Sequence, residues 1–187
     1  VMGSILVFIN CENFFHSPTK YQNKIHDEFK KELPSIKKKY KIDTYVPEVF
    51  WSHHGLRKEN EKILNYIRKR DILDIGAFCG DSLIVLLQYT DKKVYSYEYS
   101  PANILLCNDT IYNNNIPKNK MVLFNKGIGN QTQIIYTSFL RGSGSKIAQN
   151  KRGIPIEIST IDKEVKKYKL IVGFMKADIE GMELQAL

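Results

Sequence analysis

The sequence predicts an α/β fold in which a Rossmann-like parallel sheet carries flanking helices. Three observations lead to that expectation. Strand-like and helix-like segments alternate from Glu59 to about residue 125 and again from 170, the pattern of right-handed β–α–β crossovers. The first strand-like run breaks into a turn with two glycines, DILDIGAFCGDS at 71–82. The second ends on an acid, Glu98, about 20 residues beyond Gly76.

Taken in order, residues 1–58 have weak periodicity and read as an N-terminal extension to a domain over 59–187. Their basic run KKELPSIKKKYK at 30–41 reads as a solvated helix and turn. It lacks the interleaved aromatics that a base-stacking platform needs. His53 and His54 follow, and as neighbours they cannot both face one metal from a strand. ENEKILNYIRKR puts Ile63, Leu64 and Ile67 on one helical face, with Arg68, Lys69 and Arg70 where the helix dipole favours cations. DILDI (71–75) is a short buried strand, and DSLIVLLQY an apolar helix capped by Asp81 or Ser82. KVYSYEY (93–99) alternates and is rich in aromatic residues, so it is a strand. Ser100-Pro101 opens the next helix, PANILLCNDTIY, with proline at its first position.

MVLFN (121–125) is a third strand, closed by the loop KGIGN. Residues 131–160 read as extended segments, IIYTSFL and IPIEIS, around a Gly/Ser loop, RGSGS. LIVGFMKAD (170–178) is a further strand, and IEGMELQAL starts a helix. Four strands after Arg70 are fewer than such sheets usually hold, so the domain is expected to be truncated at its C-terminal end.

Bulk properties narrow the class. With 187 residues, 43% hydrophobic and 11% aromatic, the chain can build a core. The net charge of +8 is explained equally by surface lysine and by affinity for polyanions. Cys11, Cys79 and Cys107 are an odd, widely spaced set without a CxxC pair, which argues against a disulfide framework or zinc knuckle. The opening VMGSILVFIN is too short for a membrane span and lacks the basic region of a signal peptide. The expectation is a soluble, cytoplasmic protein with no membrane partner.

The turn after the first strand is the usual floor of a ligand site in an open parallel sheet. Gly76 allows a sharp turn, and Gly80 lets helix and ligand approach the backbone. Glu98 is placed to accept hydrogen bonds from two ribose hydroxyls. A dinucleotide fingerprint would need glycines where Phe78 and Asp81 stand, and Asp81 would repel a pyrophosphate. S-adenosyl-L-methionine has no phosphate and carries two positive centres, so Asp74 and Asp81 would suit it. Near the last strand, Asp178 could orient a hydroxyl, act as a general base or ligate a hard cation. On the residues alone Glu180 and Glu183 read as acids offsetting the helix dipole.

These segments resemble the FkbM-type methyltransferases. DILDIGAFCGDS is similar to that family's first motif, V/I-D-I/V-G-A-N-x-G, and VYSYEYSP to its second. FNKGIGN resembles the third-strand loop, and TIDKEV with KADIEGMELQAL resembles the paired T-h-D and K-h-D-h-E-G-h-E signatures. The resemblance covers roughly residues 46–187. It implies a class I S-adenosylmethionine-dependent methyltransferase fold and O-methylation of a sugar or other small glycosylated molecule. It places Asp74, Gly76, Ala77, Phe78, Gly80, Asp81, Ser82, Glu98, Tyr99 and Gly127 in the cofactor site, and Asp178 and Glu180 at the reaction centre. Some relatives use a divalent metal, and the motif assigns none here. Phe78 departs from the family's asparagine. Two rivals stand beside this reading: a nucleic-acid-binding protein using the basic surface, and an NAD-dependent oxidoreductase.

Overall fold

The structure, a computed structural model, describes residues 6–9, 20–137 and 153–179. The RGSGS loop, Cys11, Glu180, Glu183 and the helix expected after Asp178 lie outside the described residues.

The chain begins with β1 (Leu6–Ile9) and a long helix, α1 (Lys20–Lys39), followed by a short one, α2 (Pro47–Phe50). The crossover region then runs α3 (Glu61–Arg68), β2 (Asp71–Ile75), α4 (Asp81–Leu86), β3 (Val94–Glu98), α5 (Pro101–Asn113) and β4 (Met121–Asn125). Next come β5 (Gly127–Ile128), β6 (Gln133–Thr137), β7 (Ile154–Ser159), α6 (Ile161–Tyr168) and β8 (Val172–Ala177). The caps follow from side chains at the helix starts. Asn60 accepts the Ile63 amide at 3.1 Å, and Thr160 accepts that of Lys163 at 3.3 Å. At α4 the cap position is Gly80, with φ 83°, and Asp81 falls in the first turn instead.

The main sheet is parallel throughout, in the order β1-β8-β2-β3-β4. Counted from β2, this is the doubly wound 3-2-1-4 arrangement, and the fold is Rossmann-like as expected. β1 supplies a fifth strand beside β8, so Leu6–Ile9 join the sheet. The loop expected at KGIGN contains β5, which pairs with β7 in a small second sheet of order β5-β7-β6. TIDKEV, expected only as a motif after extended segments, opens helix α6.

Core residues fill both faces of the main sheet. On one face Ile72, Val94 and Phe174 meet Ile67 of α3, Leu83 and Leu86 of α4 and Cys107 of α5. On the other, Leu73, Ile75, Tyr97 and Met175 meet Ile161, Val165 and Tyr168 of α6. A third cluster ties α1 and α2 to the back of α4 through Phe29, Ile36, Tyr40, Phe50 and Trp51 against Ile84 and Val85. Burial of this apolar surface, at about 25 cal/mol per Å², fixes the carboxyl ends of the strands relative to one another.

Candidate functional site

The chain leaves β2 towards β3 and β4 on one side and returns to β8 on the other, so the strand order reverses between β2 and β8. A crevice at the carboxyl ends of two such strands is where open α/β sheets bind ligands. Register makes the residues there come in rows. Phe174, Ile72 and Val94 form an apolar row across β8, β2 and β3. Two residues on, the same face carries Lys176, Asp74 and Ser96. Beyond the paired residues come Asp178, Gly76 and, closing β3, Glu98.

The turn after β2 is held by its own backbone. The amides of Gly76 and Ala77 both donate to the Tyr97 carbonyl, at 2.9 and 3.0 Å, and the Gly80 amide donates to Ala77 at 2.7 Å. The Phe78 amide donates to Glu98 Oε2 at 2.9 Å. These four amides are spent inside the protein, which leaves no nest of them for a phosphate. Gly76 (φ 82°) is required because a Cβ there would run into the Asp178 carbonyl oxygen. A Cβ on Gly80 would lie 2.8 Å from Cys107 Sγ, and one on Gly127 would press on the Ile158 side chain. The close neighbours of these glycines are therefore protein atoms. The expectation that Gly80 makes room for a ligand gives way to close packing of the turn on α5.

Glu98 is buried, and both its oxygens already accept amides, Oε2 from Phe78 and Oε1 from Ser100 at 2.7 Å. Burial pushes its carboxyl above the usual range. The Ser100 and Phe78 amides, the Asn103 side chain and the Lys176 charge pull the other way. With the Ser100 and Phe78 amides and the Asn103 side chain as donors, one of the carboxylate's lone-pair sites is left for a hydroxyl. Asp81 is half-buried, and desolvation raises its pKa. Lys176 is the main opposing influence, while Asp74 and Asp178 reinforce the rise.

Asp74 is fully buried, accepts Ser96 Oγ at 2.9 Å and faces Lys176 Nζ at 3.4 Å. Its charge, read from sequence as available to a cationic ligand, is thus matched from within by Lys176. Ala77 and Ser82 are likewise closed to solvent, and Ser82 Oγ shares a hydrogen bond with His54 Nε2 at 2.9 Å. Phe78 is 39% exposed and has φ 48°, a left-handed conformation that asparagine adopts more readily. Tyr99 and Asp178 are half-buried. Asp178 is anchored through its amide to the Ile75 carbonyl at 3.0 Å. Gly127 lies in β5, where a Cβ would be 3.4 Å from the Tyr99 Cβ.

Lys176, Ser96 and His54 were missed as members of this site. One signal was present in the sequence. In DILDIG, VYSYE and GFMKAD, a polar residue follows two places after an apolar one just before the strand ends. His54 has no such signal, since only the fold brings it to α4. Among the described residues no three His, Cys, Asp or Glu side chains gather as metal ligands. No helix among them is long and apolar enough to cross a membrane.

The sheet defines the chain as a Rossmann-like domain, with Asp81, Glu98 and Asp178 near its switch point. No protein-family model matches the chain, and no curated protein matches it in sequence. Among solved structures it is similar to a crystal structure of methyltransferase FkbM from Methylobacillus flagellatus KT. The TM-score is 0.45 and the identity 17%, over 86% of this chain and 44% of that one, so the chain spans less than half that protein's length.

Proposed function

We propose that the chain is the cofactor-binding part of an S-adenosylmethionine-dependent O-methyltransferase, whose acceptor is a hydroxyl of a sugar or glycosylated small molecule. The observation that supports it best is the composition of the crevice at the switch point. Asp81, Glu98 and Asp178 come together around a turn whose amides at 76, 77, 78 and 80 are already used. Such a mouth suits an adenosine ligand with a cationic tail and repels a pyrophosphate. When bound, the cofactor supplies an electrophilic methyl group. Glu98 would accept a ribose hydroxyl through its remaining lone pair, with Tyr99 and Gly127 flanking the adenine side. Asp81 faces the positive end, and Phe78 lies at the exposed rim of the turn. Asp74, Ala77 and Ser82 support the turn from beneath. Asp178 orients the acceptor hydroxyl and takes its proton, with Glu180 next to it in the signature. Catalysis of this kind is mostly alignment, with proton removal adding to it.

Calorimetric titration with S-adenosylhomocysteine tests the reading against its rivals. Heat with that ligand and none with NAD or with nucleic acid is the expected result. Binding of NAD or of nucleic acid in its place would overturn it. Acceptor sugars screened with labelled cofactor, with and without a chelator, then identify the acceptor and any need for a divalent metal.

A further inference from the structure

Lys176 is the one residue of the signature strand whose identity core packing does not account for. β8 is buried along its whole length, VGFMKA, and the Lys176 side chain is 3% exposed. A buried Lys–Asp pair is a poor way to gain stability. Removing two charges from water costs about what their attraction returns, and apolar residues of the same size do as well or better. The ammonium is spent elsewhere as well. It donates to the Gly76 carbonyl at 2.6 Å, the shorter of its two contacts, and lies 3.4 Å from Asp74 Oδ1.

Gly76 is thereby held on three sides. Its amide goes to Tyr97 on β3, its carbonyl to Lys176 on β8, and the Asp178 carbonyl closes over its α-carbon. Gly76 has left the β2 ladder at a positive φ, and among the described residues the donor to its carbonyl is Lys176. Two residues after Lys176 the chain reaches Asp178, whose amide returns to Ile75. One side chain therefore sets the turn that carries Phe78 and Asp81 and the backbone that carries Asp178.

We propose that Lys176 is the positioning residue of this crevice: its ammonium fixes the Gly76 carbonyl, and so sets the turn and Asp178 relative to each other. Asp74 is the counter-ion of this ammonium, and Ser96 holds Asp74. The role in ligand binding rests on the methyltransferase reading, whereas the role in fixing the turn does not.

The test compares the wild-type chain with Lys176→Met and with Lys176→Met/Asp74→Asn. The single variant leaves the buried Asp74 without its counter-ion, and its loss of stability would not by itself reveal positioning. The double variant removes both charges, so it is expected to fold and to recover most of that stability. Its Gly76 carbonyl still lacks a donor. Amide hydrogen exchange at 76–80 and at Asp178 should then be about tenfold faster than in wild type, with β3 and β4 unchanged, the scale of one charged hydrogen bond. Affinity for S-adenosylhomocysteine should fall about tenfold in the same variant. Wild-type exchange and affinity in the double variant would make Lys176 a structural residue only and overturn the proposal. So would a double variant that does not fold. If the wild type bound no S-adenosylhomocysteine, the functional reading would fall, and the exchange rates would still decide the role of Lys176.

Discussion

Phe78 is a bulky side chain in a conformation that crowds its own β-carbon, at a cost of about 1–2 kcal/mol. Its ring is 39% exposed, so packing recovers only part of that, and its amide bond to Glu98 does not depend on the side chain. Phe78→Asn should therefore raise stability by about 1 kcal/mol, read from the denaturant midpoint. A fall of that size would mean that the ring's contacts outweigh the strain. Glu98 allows the opposite kind of change. The Phe78 and Ser100 amides point at different carboxylate oxygens, so in Glu98→Gln one of them would face the carboxamide NH2 instead of an acceptor. The variant should lose about 1–3 kcal/mol without any ligand present. An unchanged midpoint would show that these amides do not need the acid, leaving it to ligand binding alone. The sequence revealed the acid at the end of β3 and the glycines beside it, because both are local. Their present partners, the Tyr97 carbonyl, Cys107 and the Asp178 backbone, come from other elements and could not be read locally.

Helix α6 shows what element-level reading misses. Ile161, Val165 and Tyr168 form a helical stripe against the second core face, but the segment is otherwise crowded with charge. Its buried acid, Glu164, is matched by Lys126 at 3.1 Å from the end of β4, a partner 38 residues away. Without that partner the stripe is too narrow to stand out. The same holds for the first 58 residues, where α1 and α2 become core only because α4 supplies Ile84 and Val85. β2 and β8 were legible because strands buried on both faces read as continuous apolar runs, and β3 because its aromatic residues alternate with polar ones. Helix ends can be checked directly. α6 closes on Lys169 at φ 53°, with the Leu170 amide reaching back to Val165 at 3.0 Å. Glycine is the favoured residue at such a left-handed position. Lys169→Gly should stabilise the protein by about 0.5–1 kcal/mol, the left-handed penalty less the added freedom of the unfolded chain. A loss instead would mean that the lysine side chain contributes more than its backbone costs.

The whole molecule is held partly by a strained turn that ties its N-terminal helices to α4. His53, His54 and Gly55 all have positive φ, and His54 is buried against Ser82 at the start of α4. Burial, with the nearby charge of Lys176 and then His53, pushes the His54 pKa down to about 3. An unfolded histidine titrates near 6.5. Above that value both states are neutral and the full stability is present. Below it the unfolded chain takes a proton that folded His54 refuses, and stability falls until the pH reaches about 3. His53, pushed down to about 4 mainly by burial, acts in the same direction. Asp81 and Glu98 act in the opposite one, since burial raises both, so the wild-type pH profile alone does not isolate His54. Comparison with His54→Gln does, because that variant keeps a polar group towards Ser82 and cannot titrate. Between pH 7 and pH 5 the wild type should lose about 2 kcal/mol relative to the variant, at about 1.4 kcal/mol per pH unit below the unfolded pKa. Thermal or urea unfolding at several pH values reads that difference. A difference that stays constant over the range would show that His54 takes up its proton in the folded protein, and that the turn does not exclude water from it.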